Sequence, residues 1–206
     1  MIKIIATELV VATRNQDKLK EIKAFLKDLP VRVVSLNNFK GAPEVKEDKK
    51  TLEANAKKKA IEYSRFLKKL VVADDSGLEV RALGNQPGVY SARFSGKGAT
   101  YVSNNEKLLR LLKDVPSGKR QARFRCVIAV ADNGKVIGVA EGRCNGKIGF
   151  EPLGKTGFGY DPIFVPYGHK KTFAQLGMEK KNKISHRSKA LIRSKDIIKK
   201  YLALTF

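Results

Sequence analysis

The stretch Leu70-Val71-Val72-Ala73-Asp74-Asp75-Ser76-Gly77 constrains this chain more than any other. A short, continuous, β-branched apolar run passes directly into two carboxylates, a hydroxyl and a glycine. Leu70–Ala73 has the pattern of a strand buried on both faces, which belongs to a sheet covered by helices. Asp74 and Asp75 are then expected where that strand leaves the sheet. In open α/β sheets, ligands bind just beyond the carboxyl ends of strands. Adjacent acids at such a place hold a hard cation through oxygen, or one serves as base to a water. The four residues Asp-Asp-Ser-Gly are also good turn formers. This segment alone therefore leaves a plain turn open, and the rest of the chain has to decide.

At 206 residues the chain is long enough for a substantial core in one domain with two lobes. No apolar run reaches the length of a membrane span. Met1 to Val11 carries Lys3 and Glu8 among apolar residues and has no small-residue cleavage site. It predicts a first strand, with residues 1–8 as a short extension, in place of a signal peptide. Lys and Arg number 42 against 20 Asp and Glu, a net charge of +22. That balance predicts attraction to polyanions: nucleic acid, acidic lipid or a phosphorylated small molecule. Charge does not choose among them, and runs such as Lys57-Lys58-Lys59 and Lys180-Lys181 read as solvated helix faces. Cys126 and Cys144 fall on one predicted hairpin turning at Asn133-Gly134. A two-residue turn there sets Cys126 against Glu141 and Cys144 against Arg123, so the thiols are not opposed and no disulfide is expected. There is no Cys-x-x-Cys or Cys/His cluster for zinc. The pattern is that of a reduced, cytoplasmic protein.

Glu8 to Thr13 predicts a strand that runs into Thr13-Arg14-Asn15-Gln16-Asp17-Lys18. Leu19, Ile22, Phe25, Leu26 and Leu29 then recur at helical spacing. Thr13 or Asn15 caps that helix. Its start offers free N–H groups and a positive dipole end, a ready anion site. Lys18 in the first turn opposes the dipole, which suits phosphate binding better than helix stability, although the Walker A spacing is absent. Val31 to Ser35 predicts a second strand, and Asn37 to Lys50 a polar connection with Glu44, Glu47 and Asp48. Thr51 to Leu67 predicts a helix with Leu52, Ala56, Ala60 and Tyr63 on one stripe. A glycine-rich passage surrounds Val89–Phe94, and Asn104 to Leu112 predicts a short helix. Gln121–Ala131 and Lys135–Asn145 form the hairpin, with Asp132-Asn133-Gly134 as a type I′ turn. Gly154-Lys155-Thr156-Gly157-Phe158-Gly159-Tyr160-Asp161 packs glycines for close backbone approach beside aromatics able to stack on a planar base. Ser185 caps a last helix with Ala190, Leu191, Ile198 and Leu202 inward. His186 and Arg187 stand at its entry, where an arginine fork grips a carbonyl edge or a phosphate.

Thr13-x-Asn15-x-x-Lys18, Ala73-Asp74-Asp75-Ser76-Gly77, Pro87-Gly88-Val89-Tyr90-Ser91-Ala92-Arg93-Phe94, Phe158-Gly159-Tyr160-Asp161-Pro162 and Ser185-His186-Arg187 occur in this order. Together they resemble the inosine triphosphate pyrophosphatase family, the Ham1-like non-canonical purine NTP pyrophosphatases, from about residue 9 to the C-terminus. The resemblance implies an α/β fold: a long mixed twisted sheet flanked by helices, in two lobes with a central cleft. It implies a single two-lobed domain over 1–206, a homodimer and dependence on Mg²⁺. The implied reaction is hydrolysis of ITP, dITP and XTP to the monophosphate and pyrophosphate, which cleanses the nucleotide pool. By resemblance, Thr13, Arg14, Asn15, Gln16, Asp17 and Lys18 form the substrate-binding turn. Asp75 is the proton acceptor and a metal ligand, with Asp74 a second ligand or support, and Ser76 touches substrate. Phe158, Gly159, Tyr160 and Asp161 form the base-side loop, and Lys181, His186 and Arg187 supply the remaining contacts. The second metal ligand is Glu47 by its spacing from Thr51, with Glu44 in reserve. Lys46 and Ala54 replace acids common in relatives. The rival reading is a nucleic-acid-binding module, motivated by charge alone. No zinc finger or RNP signature supports it.

Overall fold

A computed structural model describes residues 7–205. The opening extension expected over residues 1–8 therefore lies mostly outside the described residues. Among them the strands are β1 (Glu8–Val11), β2 (Arg32–Ser35), β3 (Leu70–Val80), β4 (Gln86–Pro87), β5 (Gln121–Asp132), β6 (Lys135–Ile148) and β7 (Phe164–Pro166). The helices are α1 (Gln16–Leu26), α2 (Leu52–Leu67), α3 (Tyr101–Leu111), α4 (Phe173–Ile184) and α5 (His186–Thr205). The strands make one mixed sheet in the order β2-β1-β3-β5-β6-β7, with β4 beside β3. The chain divides into two compact units. Of the described residues, one unit holds those up to Asp75, 127–141 and those from Ala190 on, and the other holds 76–126 and 142–189.

In the first unit β1 pairs in parallel with β2 and with β3, Val10 opposite both Val34 and Val71. Parallel strands need crossover connections, which α1 and α2 provide. Both faces of the sheet are thereby covered, so Leu9, Val10, Val11, Val71 and Val72 are fully buried. Ile22 and Leu26 of α1 and Ala56 and Ala60 of α2 supply fully buried helix faces. Thr51 caps α2 through the N–H of Ala54, and Lys68 ends it in the left-handed conformation.

The second unit holds an antiparallel part, with β6 paired to β7 and β3 to β4. Its core gathers Leu78, Phe94, Leu108, Phe124, Phe164 and Phe173. Arg120 is buried at one end, and its guanidinium donates to the carbonyls of Ile148, Leu112, Val115 and Gly149. The α3 capping box of Thr100 and Ser103 fixes where that helix begins.

Two expectations need correction. First, the apolar strand does not end at Ala73. β3 continues for 11 residues through both aspartates, Ser76 and Gly77 to Val80. All of these but Ser76 are buried, so their backbone groups require ladder partners, and β3 keeps β5 as a neighbour after β1 has ended at Val11. Pairing with a distant segment overrides the turn propensity of Asp-Asp-Ser-Gly. Second, Lys180-Lys181 does lie on a helix, α4, but Lys181 is buried at 2% exposure and so is not on a solvated face. The hairpin turns at Asn133-Gly134 as expected, and Cys126 and Cys144 are buried and form no disulfide with each other.

Candidate active site

The first group of polar residues lies in the first unit, at the start of α1, along α2 and midway along β3. Asn15 caps α1: its side chain accepts the N–H groups of Asp17 and Lys18 at 2.9 and 3.1 Å. The Thr13 hydroxyl accepts the N–H of Asn15 at 3.2 Å. That cap aims Lys18 inward, and its Nζ lies 3.2 Å from Asp74 Oδ2. Asp74 and Asp75 are both buried, at 1% and 4% exposure. Asn55 of α2 donates to Asp75 Oδ2 at 3.0 Å and accepts the N–H of Lys49 at 2.8 Å, so it also anchors the segment that carries Glu47. Lys59 of α2, 7% exposed, donates to the Glu47 carboxylate and to the main-chain oxygen of Asp74.

Charge within this group is incompletely balanced, with three carboxylates against two ammonium groups. Burial pushes the Asp75 carboxyl up to about 6, Lys59 pulls it back, and Glu47 adds to the rise. Burial acts to lower the pKa of Lys59, but Asp74, Glu47 and Asp75 together hold it above its ordinary value. Such a set has room for one more positive charge. Its donors are hard carboxylate oxygens, which fit Mg²⁺, an ion that takes one or two carboxylates and fills its shell with phosphate oxygens and water. Among the described residues no three acidic, His or Cys side chains stand close enough to form a complete protein cage.

The second group lies in the second unit. Asp161 Oδ2 accepts the N–H of Phe158 at 2.8 Å and the Lys181 ammonium at 2.6 Å, in a pair with both side chains 2% exposed. A Cβ on Gly157 would stand 2.1 Å from that oxygen, so the loop closes on Asp161 only because residue 157 is glycine. Lys181 Nζ lies 4.3 Å from the centre of the half-buried Phe158 ring, and the Arg187 guanidinium carbon 5.4 Å from it. Arg187 also donates to the Ser76 hydroxyl at 3.3 Å. Ser185 caps α5 through the N–H of Ser188, which places His186 and Arg187 in its first turn. The His186 ring stacks on Phe124, centroids 4.5 Å apart.

Each expected residue now has a place. Thr13, Asn15, Lys18, Glu47 and Asp75 share the first group, with Asp74 as the direct partner of Lys18. Arg14 donates to the carbonyl of Ala42 at 3.0 Å, Gln16 is exposed, and Asp17 lies in the first turn of α1. Glu44 is exposed on the surface. Ser76, Phe158, Gly159, Asp161, Lys181 and Arg187 share the second group. Tyr160 is buried, with its hydroxyl donating to the carbonyl of Ser91 at 2.9 Å, and burial raises its pKa. Asn55 and Lys59 join the first group without being among the expected site residues. Lys59 belonged to a run read as a solvated face, yet it falls seven residues after Leu52 and four before Tyr63, on the buried stripe of α2. A lysine on an apolar stripe was the available signal.

Comparison with known proteins gives one consistent answer. The profile of the Ham1 family matches residues 9–197. A dITP/XTP pyrophosphatase of Desulforamulus reducens is 52% identical over 191 residues, 93% of this chain and 95% of that one. One from Desulfotalea psychrophila is 51% identical, covering 91% of this chain and 83% of the relative. Among solved structures, a HAM1 protein from Coxiella burnetii superposes with a TM-score of 0.86 at 37% identity, covering 94% of this chain and 99% of that one. The nucleoside-triphosphatase, or dITP/XTP pyrophosphatase, of Mycobacterium abscessus gives a TM-score of 0.74 at 41% identity, covering 91% and 97%.

Proposed function

Because the chain belongs to the Ham1 family, we propose that it hydrolyses non-canonical purine nucleoside triphosphates (ITP, dITP and XTP) to the monophosphate and pyrophosphate. The observation that carries this reading is the group around Asp75. A buried carboxylate pair on β3 meets a lysine from the α1 entry and a lysine from α2. A triphosphate needs cations along its chain and a base for the attacking water, and these residues supply both.

Lys18 and the N-terminus of α1 bind the phosphates, with Asn15 holding the lysine in place through its cap. Asp75 takes the proton of the water that attacks the α-phosphorus. Asp75 and Glu47 would hold Mg²⁺, which would shield the phosphate charge from the nucleophile and stabilise the charge on the leaving pyrophosphate. Lys59 keeps Glu47 beside the aspartates. The base stacks on Phe158, with Lys181 and Arg187 as donors to its carbonyl edge. Hypoxanthine and xanthine offer a 6-oxo acceptor there, whereas the 6-amino group of adenine leaves the buried donors unpaired, a mismatch that hydrogen-bonding sites reject strongly.

The test is pyrophosphate release with Mg²⁺ from ITP, dITP and XTP, against ATP, GTP and the pyrimidine triphosphates. Strong preference for the first three is expected. No release from any of them, with salt-sensitive binding to DNA or RNA instead, would sink the reading in favour of a polyanion-binding module. The same reading carries a homodimer and a cytoplasmic location. The first is checked by sedimentation and the second by fractionation. Among the described residues no helix is long and apolar enough to cross a membrane.

A further inference from the structure

We propose that Asn105, on α3, is a positioning residue for base recognition: through the carbonyl of Gly159 it sets the Phe158 ring against Lys181 and Arg187. This rests on the base-side role given to Phe158 above. The loop that carries Phe158 is conformationally soft by composition. Gly157 and Gly159 flank the ring in the left-handed region, at φ 79° and 65°. A chain of that kind holds one shape only if outside groups hold it.

Three ties do so. Asp161 closes the loop on itself through the N–H of Phe158. The Tyr160 hydroxyl ties it to the carbonyl of Ser91. Asn105 Nδ2 ties it to the carbonyl of Gly159 at 3.0 Å, and Gly159 is the residue next to the stacking ring. Ser91 is itself fixed. Its hydroxyl accepts the N–H of Leu78 and donates to Gly88, and the neighbouring Asn104 donates to Ala92. Helix α3 thus holds both the 88–95 segment and the base-side loop by two consecutive asparagines, and Tyr101 one turn earlier lies 6.0 Å from the Phe158 ring.

The Asn105 side chain is 6% exposed, and its Oδ1 is buried without a hydrogen-bond partner. A buried acceptor left unmade destabilises the fold, and a leucine of similar shape would avoid the loss. The amide is accounted for by what its donor does at Gly159, not by what it adds to the core.

The experiment compares wild-type enzyme with Asn105→Asp and Asn105→Leu, all with Mg²⁺. Asp keeps the shape and removes the donor. Leu keeps the packing should Asp fail to fold, and urea midpoints report folding. In the folded variants the KM for ITP should rise about tenfold with kcat within about twofold, and the preference for ITP over ATP should fall about tenfold. Inhibition by inorganic pyrophosphate, which engages no base, should be unchanged. A folded variant that keeps wild-type KM and preference overturns the proposal. So does one that loses kcat alone, or that binds pyrophosphate equally less well. If wild-type enzyme does not hydrolyse ITP at all, the base-side reading falls first and this inference with it.

Discussion

Replacing Lys59 with methionine removes one charge from the middle of the acidic group while keeping the length of the side chain. In the wild type, burial lifts the Asp75 carboxyl from 3.8 to about 6, and Lys59 is the strongest influence pulling it back. A rise of about two units corresponds to about 3 kcal/mol between the protonation states. The folded value lies above the unfolded one, so the native state holds the proton across that window. Stability from this group is therefore greatest at low pH and is lost as pH rises through about 6. Lys59 itself contributes no slope there, because its raised pKa leaves it charged in both states. Without Lys59 the Asp75 carboxyl moves higher, so the loss grows and extends to higher pH. The assay is urea unfolding of chelator-treated protein between pH 4.5 and 8. It compares wild type, Lys59→Met, Asp75→Asn and the double variant. The difference between each protein and its Asp75→Asn counterpart isolates this carboxyl. Its change from pH 4.5 to 8 should be about 2 kcal/mol in the wild type, and larger in the Lys59→Met background. Equal differences in the two backgrounds would refute the claim that Lys59 restrains Asp75.

Asp75→Asn should abolish pyrophosphate release from ITP while leaving the circular dichroism spectrum intact, and retained turnover would remove Asp75 from the mechanism. Arg120→Met takes a donor from four carbonyls, and a buried acceptor left unmade costs about 1–3 kcal/mol, read as a lower urea midpoint at unchanged slope.

Local signals were legible in the sequence, and signals that depend on distant partners were not. The α1 cap, the α1 period and the Asn133-Gly134 hairpin are set by residues a few positions apart; the helix and the hairpin stand where expected, and of the two candidate caps, Thr13 and Asn15, the structure uses Asn15. Extension of β3 through Asp74 and Asp75 depends on β5, which arrives some 45 residues later, so turn propensity misled. Tyr160 read as a stacking aromatic, but its hydroxyl is engaged by Ser91, 69 positions away. Lys59 was hidden by Lys57 and Lys58, because three consecutive lysines look alike until the buried stripe of α2 is drawn through one of them. The family motifs singled out Lys18, Asp75, Lys181 and Arg187 as candidates. They did not disclose Asn55, which steadies Asp75, because an amide in a helix carries no mark of whether it faces water or a carboxylate.

Lys18 rests against Asp74, and Lys181 against Asp161, before any nucleotide arrives. An incoming anion therefore meets cations that already have an incumbent. A lone phosphate or acetate ion has too little to offer to unseat one. A triphosphate with its metal brings several oxygens and a cation together, enough to part Lys18 from Asp74. The resting enzyme is thus shielded from the small anions of the cell by its own aspartates.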